Sequence, residues 1–275
     1  MDALFGLKKR YFIVTGASGL LGREHCSAIL EYSGIPVAID INKKSLIELQ
    51  KYFKKKYQVN IPIFNCSITD IDQLSAVKIE LEKSNIFISG IINNAALNPA
   101  VSNRGLKTLS RLEDYDLEIW DRELEVGLKG SYLVVRVFSE HLCKHEYKGV
   151  IVNISSDLGL IAPDQRLYIN KSLPPNSNKQ PVKPITYSII KAGLIGMSRY
   201  FATYFNGDIR SNTLCPGGVE NNQDEEFLEK ISKLIPLGRM AKINEYKGAI
   251  VFLLSDASSY MNGACISIDG GRTVW

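Results

Sequence analysis

Tyr11-Phe12-Ile13-Val14-Thr15-Gly16-Ala17-Ser18-Gly19-Leu20-Leu21-Gly22 is the stretch that decides the fold. Tyr11 to Val14 reads as a buried strand, and Leu20 to Tyr32 has the apolar spacing of a helix. Between them lie glycines at intervals of three, at the carboxyl end of the strand and the start of the helix. A phosphate-binding turn needs this setting. Gly16 admits the tight turn, Gly19 a close backbone approach to pyrophosphate, and Gly22 close packing of helix on strand. The amides around Ser18, Leu20 and Leu21, with the positive end of the helix dipole, would face the anion.

Working outward, apolar runs recur at Val37 to Ile39, Ile61 to Phe64, Ile88 to Ile92, Val150 to Ile154, Ile209 to Leu214 and Ala264 to Ile268. Patterns such as Leu46, Leu49, Phe53 and Leu124, Leu128, Tyr132 between them have helical spacing. Strand alternating with helix predicts an α/β fold, a Rossmann-type doubly wound parallel sheet of about seven strands with helices on both faces. A chain of 275 residues, 45% hydrophobic, can bury one large core, so residues 1–275 are expected to form a single domain.

Composition excludes several classes. No apolar run approaches the ~20 residues of a membrane span, and the first ten residues lack the order of a signal peptide, so a cytoplasmic protein without a membrane partner is expected. Five scattered cysteines with no CxxC pair fit neither a disulfide framework nor a zinc site. The net charge of +4 is too small and dispersed for a nucleic-acid partner. His141 and His145 have no carboxylate or cysteine placed to complete a metal site and read as surface or subunit-interface residues, so no metal is expected.

Two features carry chemistry. The second apolar run ends at Asp40, at about the ~20-residue separation from the glycines at which a carboxylate accepts both ribose hydroxyls of a dinucleotide and repels a 2′-phosphate. This favours NAD. Lys43 and Lys44 read as an exposed first helical turn but keep NADP open. Farther on, Tyr187 and Lys191 are four apart, one helical turn on one face, so the ammonium is expected to favour the phenolate and make Tyr187 an acid/base near neutral pH.

With those residues in hand, the chain resembles the short-chain dehydrogenase/reductase family over nearly its whole length. Asn93-Asn94-Ala95-Ala96 is similar to the family's segment bordering the cofactor. Val152-Asn153-Ile154-Ser155-Ser156 resembles its serine motif, Asn212 to Gly218 the segment beside nicotinamide, and Ile268-Asp269-Gly270-Gly271 its C-terminal strand ending. The resemblance implies an NAD(P)-dependent oxidoreductase acting on CH–OH groups, with Ser156, Tyr187 and Lys191 catalytic. Gly16, Ser18, Gly19, Leu20, Leu21, Asp40, Asn94, Ala95, Tyr187, Lys191, Pro216, Gly217, Gly218 and Val219 would hold the cofactor. It also implies a homodimer or homotetramer, with a long helix from Trp120 to His141 and the Tyr187 helix at a subunit contact.

There are departures. The glycine spacing follows the family's extended branch, whereas the later motifs follow the shorter one. Gly127 stands where the family has a catalytic asparagine, and Ser67 where it often has an adenine-binding aspartate. Ser156 and Tyr187 are 31 residues apart, wider than the family norm. The excess is Leu160 to Ile185, holding five of the ten prolines and, between Pro163 and Thr186, four cations against Asp164. It reads as a lid, a binding loop or a disordered tract. Gln165, Arg166 and Lys171 would offer donors to hydroxyls and cations to an anion, so a polar or anionic sugar or sugar phosphate is the expected substrate, touching Ser156, Gln165, Arg166 and Tyr187. The loop and the Gly217–Gln223 segment resemble family members tied to bacterial nonulosonic acid, flagellin-modification or surface-polysaccharide synthesis. The alternatives are a non-enzymatic NAD-binding sensor, which Gly127 favours, and a reductase of an acyl carbonyl or small ketone.

Overall fold

The first strand, β1 (Tyr11–Thr15), pairs in parallel with β2 (Ile35–Asp40) on one side and β4 (Ile88–Asn93) on the other. Beyond β2 lies β3 (Ile63–Asn65); beyond β4 follow β5 (Gly149–Ile154), β6 (Ile209–Pro216) and β7 (Cys265–Ile268). The order is β3-β2-β1-β4-β5-β6-β7, all parallel, in a computed structural model that describes residues 4–97, 111–143, 148–174 and 176–275. The strand order reverses between β1 and β4, and a doubly wound sheet opens its binding crevice there, at the carboxyl ends of the strands.

Every residue of β4, β5 and β6 is buried, including the polar Ser89, Asn93, Asn153 and Arg210 to Thr213, as in a sheet covered on both faces. Side chains alternate between two cores. Phe12 and Val14 join α1 (Leu20–Glu31), α2 (Lys43–Tyr57) and α8 (Lys247–Leu254) on one face. Ile13 joins α3 (Ile71–Lys83), α5 (Ser131–Cys143) and α6 (Ile185–Tyr204) on the other. The helix ends are sequence-encoded: Asn42 caps α2, Asp70 caps α3, Asp116 caps α4 (Leu117–Leu124) and Asp224 caps α7 (Glu225–Ser232). Among the described residues no helix is long and apolar enough to cross a membrane.

Three expectations are corrected. The long helix from Trp120 to His141 is two helices, α4 and α5, joined by a π-helical turn over Glu125–Gly130. Gly127 and Gly130 let that wide turn press against Ile190 and Ile68, which a Cβ at either position would strike at 2.5 and 2.6 Å. His141 is not a surface residue: it is fully buried, with Nε2 3.0 Å from Glu82 Oε1. His145 lies outside the described residues. The proline-rich segment is an organised loop rather than a disordered tract. Gln180, 6% exposed, accepts from Asn170 N and donates to the carbonyls of Asn170, Leu173 and Pro174. Leu167 inserts into a small third core with Ile231, Ile235 and Met240, seating the loop on α7.

Candidate active site

The glycine turn follows β1 and ends at Gly19, whose residue type offers α1 no side-chain cap, and no acidic residue occupies the first turn. The first amides of α1 therefore keep their capacity for an anion. Gly16 has φ +61°, and a Cβ there would lie 2.9 Å from Ala95 Cα. At Gly22 a Cβ would strike Gly16 O at 2.1 Å, so the helix approaches the turn only because Gly22 has none. Asn94 ties the turn to the end of β4, its Nδ2 donating to Thr15 O and Gly16 O, while Asn94 N and Ala95 N donate to Thr15 Oγ1. Asp40 closes the far side. Its Oδ2 accepts from Ser18 N at 3.0 Å and Ser18 Oγ at 2.6 Å, and its Oδ1 from Asn42 N. Lys43 and Lys44 are the exposed first turn of α2.

Pro216 ends β6, and the chain then bends under the C-terminal strand. Gly217 N donates to Ile268 O, Gly218 O accepts from Ala241 N, and Val219 bridges to Ala241. These residues, the glycine turn, Asp40, Asn94 and Ala95 border the same crevice, and the set fits a dinucleotide.

At the ends of β5 and α6 the structure brings together Ser156, Tyr187 and Lys191. Lys191 is buried, its Nζ donating to Ile154 O at 2.9 Å, and Ser155 Oγ donates to Lys191 O at 2.6 Å. Burial first, then the neighbouring charge of Lys183, pushes the Lys191 ammonium down to about 8. Tyr187 corrects an expectation: its phenol is pushed up, not toward neutrality. Burial is the dominant cause; a Ser156 hydrogen bond pulls back, and the Asp157 charge adds to the rise. Lys191 Nζ stands 5.7 Å from the Tyr187 ring centroid and spends a proton on a carbonyl.

Three residues were invisible to motif reading. Asp157 Oδ1 accepts from Ser156 Oγ at 2.6 Å and from Leu158 N at 2.9 Å. Lys183 Nζ sits 3.8 Å from the Tyr187 ring centroid, on the side away from the motif lysine in sequence, and burial lowers it to about 8 against the pull of Asp157 and Glu123. Arg272 follows the Gly270-Gly271 turn and is 8% exposed. An acidic residue directly after the serine motif was the only available sequence signal. The loop residues differ from expectation as well. Arg166 is turned outward, 82% exposed, with its guanidinium forked on Asp164, and Lys171 pairs with Glu226 at 3.1 Å. Gln165 instead pins Lys183, accepting from Lys183 N at 2.8 Å and donating to Lys183 O. Beside the site a cavity of about 590 Å³ is lined mainly by apolar residues, Leu160, Ile161, Val182 and Ala192 among them; Lys183 borders it, Ser156 and Tyr187 do not.

Comparison with known proteins agrees with this geometry. The family description "short chain dehydrogenase" matches residues 10–167, and "Enoyl-(Acyl carrier protein) reductase" matches residues 176–273. The chain is 29% identical to post-translational flagellin modification protein A of Campylobacter coli, covering 96% of this chain and 98% of that one. It is 30% identical to 3-oxoacyl-[acyl-carrier-protein] reductase FabG of Thermotoga maritima (98% and 99% covered) and 28% to an NADP-dependent mannitol dehydrogenase of Alternaria alternata (98% and 95%). A solved gluconate 5-dehydrogenase from Burkholderia cenocepacia superposes with a TM-score of 0.84 at 22% identity, over 99% of this chain and 98% of that one, a likeness of fold. Glycine turn, serine motif, tyrosine and lysine stand in one crevice of a sheet shared over the whole chain: the protein belongs to the short-chain dehydrogenase family.

Proposed function

We propose that the protein is an NAD(P)-dependent oxidoreductase that moves a hydride between nicotinamide and a secondary alcohol or ketone of a sugar or sugar alcohol. The convergence of Ser156, just past the carboxyl end of β5, with Tyr187 and Lys191 in the N-terminal half of α6 carries this reading. The mannitol dehydrogenase relative and the ring of polar groups around Tyr187 support the substrate class. NAD is the preferred cofactor because Asp40 ends β2 beside the glycine turn, where a carboxylate would accept ribose hydroxyls and repel a 2′-phosphate. The glycine turn, Asp40, Asn94, Ala95 and the Pro216–Val219 segment hold the dinucleotide, which when bound supplies the hydride acceptor or donor.

Tyr187 exchanges the proton at the substrate oxygen. Lys191, fixed by Ile154 O, sets a positive charge beside the phenol. Ser156 donates to Asp157 and accepts from Leu158 N, so its remaining lone pair can accept a hydrogen bond from a substrate hydroxyl, and it must turn from Asp157 to donate to a carbonyl. We place the protein in the cytoplasm as a homodimer or homotetramer; the exposed Tyr132, Ile189, Tyr200 and Tyr204 on α5 and α6 supply an apolar subunit face.

The apolar cavity beside Lys183 and the FabG relative favour a second reading, reduction of an acyl carbonyl. One assay separates the two: nicotinamide absorbance with NAD or NADP against sugars, polyols and acyl ketones. Polyol-linked NAD reduction is expected, and Tyr187→Phe should lower kcat about 10²–10⁴-fold with NADH binding retained. Turnover confined to acyl ketones, or unchanged in the variant, would overturn the sugar reading or the role of Tyr187 respectively.

A further inference from the structure

Among the described residues three arginines are buried. Arg10, 2% exposed, pairs with Asp256 at 3.5 Å, and Arg210, 6% exposed, donates to Ser258 Oγ and the carbonyls of Leu253, Ser255 and Met261. Arg272, 8% exposed, has no carboxylate within 4.0 Å and makes no side-chain hydrogen bond among the described residues. None of its nitrogens is wholly shut off from solvent, but a largely buried guanidinium with no paired carboxylate is costly, and an anion received there would offset that cost. The nearest acid in sequence does not neutralise it: Asp269 spends its oxygens on Gly271 N and Thr273 N, both at 2.9 Å.

Its position gives the identity of the guest. Arg272 N donates to Asp269 O, and Asp269 lies against Gly217, where a Cβ would come 2.7 Å from its Cα. The backbone of Arg272 is therefore carried close to the Pro216–Val219 segment. Its charge is felt by Asp157 on the floor of the site and by Asp164 and Tyr168 in the loop above. Lys183 lies on the Tyr187 ring, its Nζ 3.8 Å from the centroid. Asp157 has one oxygen committed to Ser156 and Leu158 and a second that makes no hydrogen bond among the described residues.

We infer that the substrate of the Tyr187 site is a polyol bearing an anionic group, carboxylate or phosphate, which Arg272 receives with Lys183 beside it while Asp157 accepts from a neighbouring hydroxyl. The inference rests on the proposed sugar oxidoreductase reading and deepens it. Arg166 and Lys171, already paired with Asp164 and Glu226, are not the anion receptor. A planar guanidinium fork suits either oxyanion, and the same donors leave a neutral polyol with its hydroxyls alone.

The test uses the full-length Tyr187→Phe protein saturated with NAD, so that binding is read without turnover, and three six-carbon probes: D-gluconate, D-glucitol 6-phosphate and D-glucitol. Calorimetry should show at least one anion binding about tenfold or more tightly than D-glucitol, and the better anion names the group. Arg272→Gln should erase the preference and Arg272→Lys keep part of it, both with NADH affinity unchanged. A preference that survives Arg272→Gln, or D-glucitol bound as tightly as both anions, overturns the proposal. So does loss of NADH binding in Arg272→Gln, which would assign the guanidinium to the cofactor. If no polyol binds measurably, thermal unfolding decides: inorganic phosphate or gluconate must stabilise the wild type more than Arg272→Gln, and equal indifference sinks the idea. Arg272-dependent anion binding with no NAD-linked turnover of any polyol would instead retire the oxidoreductase reading and leave the anion site standing.

Discussion

At the scale of single residues, Gly127 and Ile190 have to be read as a pair. The side chain of Ile190 fills the volume that any side chain at 127 would enter, with Cγ2 2.5 Å from the position of a Cβ. Gly127→Asn should therefore destabilise the fold by about 1 to 3 kcal/mol through overpacking. Adding Ile190→Ala should recover part of that loss, a non-additivity that urea unfolding of the two single variants and the double variant would read directly. Additive losses would mean that the two side chains do not compete for one space. Asp40 yields a second prediction. Replacing its carboxylate removes the charge that opposes a 2′-phosphate, so Asp40→Ser should raise the NADP-to-NAD ratio of kcat/KM by about tenfold or more. A ratio that does not move would place the discrimination elsewhere, with Lys43 and Lys44 next to examine. Tyr187, Lys191 and Asp40 could be singled out in the sequence by local spacing after a strand or along a helix, and Ser156 by the resemblance of its segment to the family's serine motif. Arg272, Lys183 and Asp157 were not, since their significance depends on burial and on side chains brought in from other segments. The phenol of Tyr187 was misjudged for the same reason: spacing reveals the lysine one turn away but not the desolvation that outweighs it.

At the scale of elements, composition located the Leu160–Ile185 insertion but could not tell an ordered loop from a disordered one. The deciding contact is one amide, Gln180, whose two N–H groups are shared among three carbonyls while its oxygen receives Asn170 N. Asn170 N and Leu173 O have no other described hydrogen-bond partner, so Gln180→Leu should cost about 1 to 3 kcal/mol of local stability. Because the loop forms its own small core with α7, away from the two main cores, the loss should be local. Amide exchange of residues 168–182 should accelerate and KM for the sugar substrate rise, with NADH affinity and the unfolding midpoint little changed. A fall in NADH affinity of the same size would show that the loop supports the cofactor crevice instead. The π-helical turn was equally hidden: the helical spacing of Leu124, Leu128 and Tyr132 continues across it, and only the contacts of Gly127 and Gly130 with Ile190 and Ile68 reveal the extra residue in the turn.

At the scale of the whole molecule, a doubly wound parallel sheet of about seven strands followed from strand–helix alternation because parallel strands joined by right-handed crossovers leave few arrangements, and the structure supplies their order. What alternation could not show is that the fold encloses an imidazole. His25, in the middle of α1, is 1% exposed, and neither ring nitrogen has a partner of hydrogen-bond geometry although Asn94 lies near. Burial lowers it from 6.5 to about 3. Between those values the unfolded chain binds the proton that the native ring refuses, so this contribution to stability is present above 6.5 and is lost as pH falls toward 3. By pH 5 the loss from this one group reaches about 2 kcal/mol, the equivalent of one and a half pKa units. Asp157, pushed up by burial, has the opposite sign in acid, and the carboxylates lowered by ion pairs have the same sign as His25. Comparing wild type with His25→Leu cancels all of them. Urea unfolding at about pH 7.5 and about pH 5 should show the wild type losing about 2 kcal/mol more than the variant. Parallel losses in the two proteins would mean that the His25 ring is protonated, or reaches a partner, inside the native fold.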